Sequence, residues 1–145
     1  MHNIDDLKID IEQELVIAAP MPKVYESTIY QLTEGLMGEN DEPLHLALER
    51  KPGGRWYRNL GEQRGHVWGF VQSIREPELI ELNGPMFMSY PVINHIIIRF
   101  EEVGGGTRLL FRHRAFGLLE KEHREDVVEG WQDVLRKVAA QSIGR

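Results

Sequence analysis

Six histidines, at positions 2, 45, 66, 95, 113 and 123, are the side chains of this sequence best suited to moving protons near neutral pH. Their spacing proposes no metal site, because there is no HExxH text and no pair of histidines four apart on one helix face. With no cysteine, thiolate nucleophiles, disulfides, zinc–thiolate sites and iron–sulfur clusters are excluded. Neither a GxSxG nucleophile turn nor a GxxxxGK[ST] phosphate loop occurs. The acidic group Glu120, Glu122, Glu125 and Asp126 reads as the solvated start of a helix. No cofactor and no metal is therefore expected, and no catalytic constellation stands out. The strongest single candidate is His113. It alternates with Leu109 and Phe111 on one face of a strand whose other face carries Arg108, Leu110, Arg112 and Arg114. Three arginines are costly to bury together, so His113 faces inward. There it could hydrogen-bond a carbonyl or carboxylate ligand or act as a general base. The plainer reading, a histidine satisfied by a neighbouring group, carries more weight.

The elements that must position these residues follow from periodicity. Residues 7–17 alternate Leu7, Ile9, Ile11, Leu15 and Ile17 with charged neighbours, the pattern of a half-buried strand that only Gln13 interrupts. Pro20 and Pro22 open a helix over 23–32 with Val24, Thr28 and Leu32 on one face. Residues 35–41 read as a loop or a short second helix. From Leu44 onward the text turns to strands and turns. Strands over 44–48, 55–58, 65–74, 79–82, 92–102 and 107–115 are joined by short Gly- and Pro-bearing links, so successive strands pair antiparallel in a meander. The C-terminal stretch shifts to a helical period, with Val127, Trp131, Val134, Val138 and Gln141 on a stripe that Val128 and Leu135 widen. The class is α+β.

Seventeen Lys and Arg against 23 Asp and Glu give a net charge of −6, which does not favour nucleic acid. No apolar run approaches a membrane span, and the opening residues lack the basic and apolar regions of a signal peptide. Residues 1–145 read as one cytoplasmic domain with no membrane insertion.

Several stretches together carry a resemblance. IEQELVIAAPMPKVYEST (11–28) resembles the opening strand and helix start of the SRPBCC superfamily, which includes START domains and the birch-pollen allergen. KPGGRWY (51–57), GFVQSIREPELIEL (69–82), GGGTRLLFRHRAF (104–116) and EGWQDVLRKV (129–138) are similar to that superfamily's hairpin, strand pair, last strand and terminal helix. The nearest branch is the family named for homology to the activator of the heat-shock-protein-90 ATPase. The sequence departs from it in having one proline at 75–77 where many relatives have two, and in its own text over 83–91. The resemblance implies a helix-grip fold. A curved antiparallel sheet of six to seven strands wraps a long C-terminal helix, one or two short helices follow the first strand, and a cavity lies between sheet and helix.

In such a fold Trp56, Trp68, Met88, Tyr90, Phe111, His113, Gly130 and Trp131 are the expected ligand-binding residues. Met86, Phe87 and Met88 read as a cavity lid or entrance, or equally as a core plug or dimer contact. Gly130 either leaves room for a ligand beside Trp131 or serves close helix–sheet packing. The implied function is non-catalytic binding of a small hydrophobic or amphipathic molecule, a lipid among the candidates. One alternative is an enzyme of the polyketide cyclase/aromatase kind with His113 as acid–base group. Another is a co-chaperone-like interaction domain, or a homodimer, using the outer sheet face and its arginine row, although that row reads more simply as solvated.

Overall fold

The computed structural model describes residues 3–144; Met1, His2 and Arg145 lie outside it, and with them the expectations that touch them. After a 3-10 turn (Ile4–Leu7) come β1 (Lys8–Ile17), α1 (Met21–Leu32), a second 3-10 turn (Glu39–Asp41), β2 (Leu46–Leu48), β3 (Arg55–Gly61), β4 (Arg64–Arg75), β5 (Leu79–Gly84), β6 (Val92–Val103), β7 (Gly106–Gly117) and α2 (Lys121–Ile143). The seven strands form one antiparallel sheet in the order β1-β7-β6-β5-β4-β3-β2. This is the helix-grip architecture. The six strands from β2 to β7 follow one another as the antiparallel meander expected from sequence, and β1, whose partner the pattern leaves open, pairs along its whole length with β7, Lys8 opposite Phe116 and Ile17 opposite Thr107. Leu7 falls in the 3-10 turn instead of the strand.

One face of the sheet is the core. Ile9, Ile11 and Ile17 on β1, Ile96, Ile98 and Phe100 on β6, and Leu109, Phe111 and His113 on β7 are buried, each set at even spacings as a pleat requires, with Gln13 and Leu15 half-buried between Ile11 and Ile17. On the outer face the acids of β1 meet the arginines of β7. Arg112 donates to both oxygens of Asp10 at 2.9–3.0 Å, and Arg108 lies 3.3 Å from Glu14 and 3.5 Å from Glu101. The Arg112 hydrogen bond holds Asp10 below the usual carboxylate range. Arg108 and Arg112 are thus matched by neighbouring acids within the sheet.

Both helices lie on the inner face. α1 buries Val24, Thr28 and Leu32, sets Tyr25 edge-on to Phe100 with centroids 5.2 Å apart, and reaches α2 through Gln31 Nε2 donating to Gln141 Oε1 at 2.9 Å. Along α2 the buried residues are Val127, Trp131, Val134, Leu135, Val138 and Ser142. Two members of the expected stripe are corrected. Val128 is exposed because its position points away from the sheet, and Gln141 is exposed and spends its amide on α1. The Trp56 indole donates to the Leu32 carbonyl at 2.8 Å, satisfying one of the carbonyls that α1 leaves free at its C-terminus. Trp56→Phe keeps most of the apolar contact but orphans that carbonyl, so urea unfolding should show a loss of about 1–2 kcal/mol.

Candidate functional site

A pocket of about 490 Å³ opens where α2 leaves the sheet uncovered. Its apolar wall is Trp68 of β4, Met86 and Phe87 of the β5–β6 loop, and Val127, Trp131 and Val134 of α2. Its other side is the α1–β2 connection, with Leu36, Met37 and Leu44. Arg58, His66, Glu39 and Asp126 supply the polar groups. A volume of this size with mostly apolar walls and few polar groups is the general form of a small-molecule site. A second cleft of about 650 Å³ lies between the first 3-10 turn and the start of α2. Asp6, Lys121, Arg124 and Glu125 line it alongside leucines and no aromatic ring, so it offers an apolar ligand little to stack on.

The expected site residues divide into two layers. Trp68, Gly130 and Trp131 line the pocket. Trp68 occupies a bulge opposite the Trp56/Tyr57 step of β3, yet faces inward and is buried. Gly130 meets no atom within 4 Å where a Cβ would stand, so it leaves space instead of serving a close approach. Trp56 and Phe111 stand behind these, 5.3 Å from the Trp68 ring and 4.6 Å from the Trp131 ring. Met88 is also buried. Tyr90 lies to the side, its hydroxyl 2.9 Å from His123 Nδ1 with the two rings stacked. Phe87 meets the same imidazole edge-on at 5.0 Å.

His113 is fully buried and supports the pocket from behind. The Trp131 indole N–H donates to its Nδ1 at 2.9 Å, and its Nε2 lies 2.8 Å from Asn94 Oδ1. An indole can only donate, so Nδ1 is the acceptor and Nε2 carries the proton. Burial, with a smaller contribution from His95, pulls the His113 pKa down to about 4. The ring is therefore neutral and has both nitrogens engaged. Asn94 continues the chain, its amide donating to the carbonyls of Gly84 and Pro85 at 3.1 and 3.2 Å. The backbone N–H of Met86 is bonded to the Trp68 carbonyl at 2.7 Å. Gly84 lies so close to Gly69 that a Cβ there would stand 2.4 Å from its Cα. The Met86–Met88 loop is thereby tied to β4 and, through Asn94, His113 and Trp131, to α2.

Arg58, His66, Met86 and Phe87 are among the pocket residues absent from the expected set, the last two having been read as a lid or entrance, or equally as a core plug or dimer contact. Arg58 and His66 were missed although the signal was present. Each stands two residues from a tryptophan on its own strand, Trp56 and Trp68, and so shares its face. The two pair directly across β3 and β4. Among the described residues no group of three His, Asp or Glu side chains is placed to hold a metal ion, and no helix is long and apolar enough to cross a membrane.

The family model described as Activator of Hsp90 ATPase homolog 1-like protein matches residues 41–141. No curated protein matches the chain. Similar solved structures include an uncharacterized protein from Rhizobium leguminosarum, with TM-score 0.71, 17% identity, and 92% of this chain and 93% of that one covered. Ara h 8.0201 superposes with TM-score 0.64 at 14% identity over 95% of this chain and 99% of that one. The di-domain ARO/CYC StfQ from the steffimycin biosynthetic pathway gives TM-score 0.65 at 16% identity, over 96% of this chain and 52% of that one. At these identities the likeness concerns the fold.

Proposed function

For a chain that belongs to the Activator of Hsp90 ATPase homolog 1-like protein family, we propose non-catalytic binding of a small hydrophobic or amphipathic molecule, lipids included, in the pocket between α2 and the β3–β4 end of the sheet. The observation that carries this reading is the gap at Gly130. A helix-interior glycine forgoes about 1 kcal/mol relative to alanine, and here no neighbour requires it. Gly130 is exposed and lines the pocket together with Val127, Trp131 and Val134 of the same helix, so the space stands at the pocket's open side. Filling it should remove binding while leaving the fold intact. Native mass spectrometry of the protein purified under mild conditions should show a bound molecule that denaturation releases, and Gly130→Leu should appear bare. Gly130→Leu should also melt no lower than the parent, since leucine is the better helix former. Equal occupancy in the parent and Gly130→Leu would end this reading.

A cyclase-type enzyme is the second reading. It is favoured by one observation, the placement of His66 beside Arg58 in the pocket wall. His66 would then take the proton-handling role, since His113 has no nitrogen free. An enzyme would return its bound molecule chemically altered, and a carrier would return it unchanged.

A further inference from the structure

We propose that the ligand carries a carboxylate head group and that Arg58 reads it, an inference that rests on the pocket being the binding site. By the pleat alternation that buries Trp56 and Trp68, the Arg58–His66 pair stands on the inner face, where the sheet otherwise places mostly apolar side chains and where the buried polar pair His113 and Asn94 is internally bonded. A charged residue at a core-facing position is a departure from pattern that folding does not explain.

The other guanidinium groups show what is unusual: Arg64, Arg99 and Arg114 also lack an acid partner among the described residues, but all three are exposed, whereas Arg58 is half-buried. Arg50 is held by Glu26 and Glu76, Arg55 by both oxygens of Glu49, and Arg112 by both oxygens of Asp10. Arg108 and Arg124 have an unbonded buried Nε, but Arg108 lies beside Glu14 and Glu101, and Arg124 donates through Nη2 to the Asp5 carbonyl. Arg58 also has a buried Nε with no partner, and among the described residues no carboxylate lies within ion-pair distance of it. Glu39 and Asp126, the two acids lining the same pocket, make no ion pair with it.

A desolvated guanidinium donor without an acceptor is costly, and an acceptor brought by a ligand removes that cost. The planar fork of Arg matches the two oxygens of a carboxylate. Trp68, Phe87, Val127 and Trp131, with the space at Gly130, would hold the apolar part of the same molecule. Head and tail sites in one pocket specify an amphipathic acid over a neutral hydrocarbon.

Three probes of equal chain length separate the possibilities: decanoate, 1-decanol and decylamine, titrated by calorimetry into ligand-stripped protein. Decanoate should bind at least about tenfold tighter than decanol, the ordinary value of a charge-assisted hydrogen bond. Arg58→Gln should bring decanoate down to the decanol level and leave decanol unchanged, and Arg58→Lys should recover part of the difference. Equal binding of decanoate and decanol, a preference for decylamine, or equal weakening of acid and alcohol by Arg58→Gln would overturn the head-group assignment and leave the apolar pocket standing. If a correctly folded protein binds none of the three, the pocket reading falls and this inference falls with it.

Discussion

His113→Leu should cost about 3–4 kcal/mol of folding stability at pH 7.5, although leucine nearly matches the imidazole in volume and is more apolar. The loss comes from what the substitution leaves behind. Trp131 Nε1–H and Asn94 Oδ1 are both buried and both bonded to this one ring, and each orphaned group costs roughly 1–3 kcal/mol. The asymmetry has a second signature. Trp131→Phe made in the His113→Leu background removes an already unsatisfied donor, so it should cost about 1–2 kcal/mol less than in the parent. Urea unfolding of the two single variants and the double variant measures the coupling. A cost below about 1 kcal/mol for His113→Leu would mean that water or rearrangement replaces the ring, and that the chain from α2 to the β5–β6 loop is not what holds them together.

Acid should destabilise the parent in a window set by the same residue. In the unfolded chain a histidine titrates near 6.5; in the folded protein burial holds His113 at about 4. Between those values the unfolded state binds the extra proton and the folded state does not, so stability is complete above about pH 6.5 and is lost as pH falls toward 4. The full loss is about 3 kcal/mol, of which about 2 kcal/mol falls between pH 7 and 5. Below pH 4 this group has no further effect. The carboxylates then take over, because several are held low by partners: Asp10 by Arg112, Glu26 by Arg50, Glu81 by Ser73 and His95, and Asp133 by Lys137. Two acid-sensitive windows should therefore appear in the parent, and only the lower one in His113→Leu. An equally steep loss between pH 7 and 5 in both proteins would assign the upper window to another group.

The parts of this molecule that could be read from its sequence are those decided by neighbours along the chain. The alternation of Ile9, Ile11 and Ile17 and of Leu109, Phe111 and His113 is local, and both rows are buried as the pattern requires. The 3–4 spacing of Val127, Trp131, Val134 and Val138 likewise placed α2. What the pattern leaves open is which distant elements meet. The β1–β7 pairing joins residues about a hundred positions apart, and no period in either strand encodes it. The same limit applies to His113. Its inward direction was local information, whereas the two partners that occupy its nitrogens lie 19 residues before it and 18 after it. Gly130 illustrates the remaining ambiguity. Glycine in a helix signals either a close approach or an empty space, and only the surroundings distinguish them.

The order of the sheet also bears on how a ribosome delivers this protein. β1 finds its strand partner in β7, so of the strands in this sheet the earliest to be synthesised is the last to be hydrogen-bonded. β2 through β7 can zip together by successive hairpins, each a short loop closure, while β1 waits for the chain to reach residue 117. During that wait its apolar row, Ile9, Ile11, Leu15 and Ile17, is uncovered. The alternate positions Asp10, Glu12 and Glu14 then act as gatekeepers, since strands bearing like charges repel one another when two nascent chains meet. The acids that later match the arginines of β7 are the same residues that keep the waiting strand from pairing with its own copies.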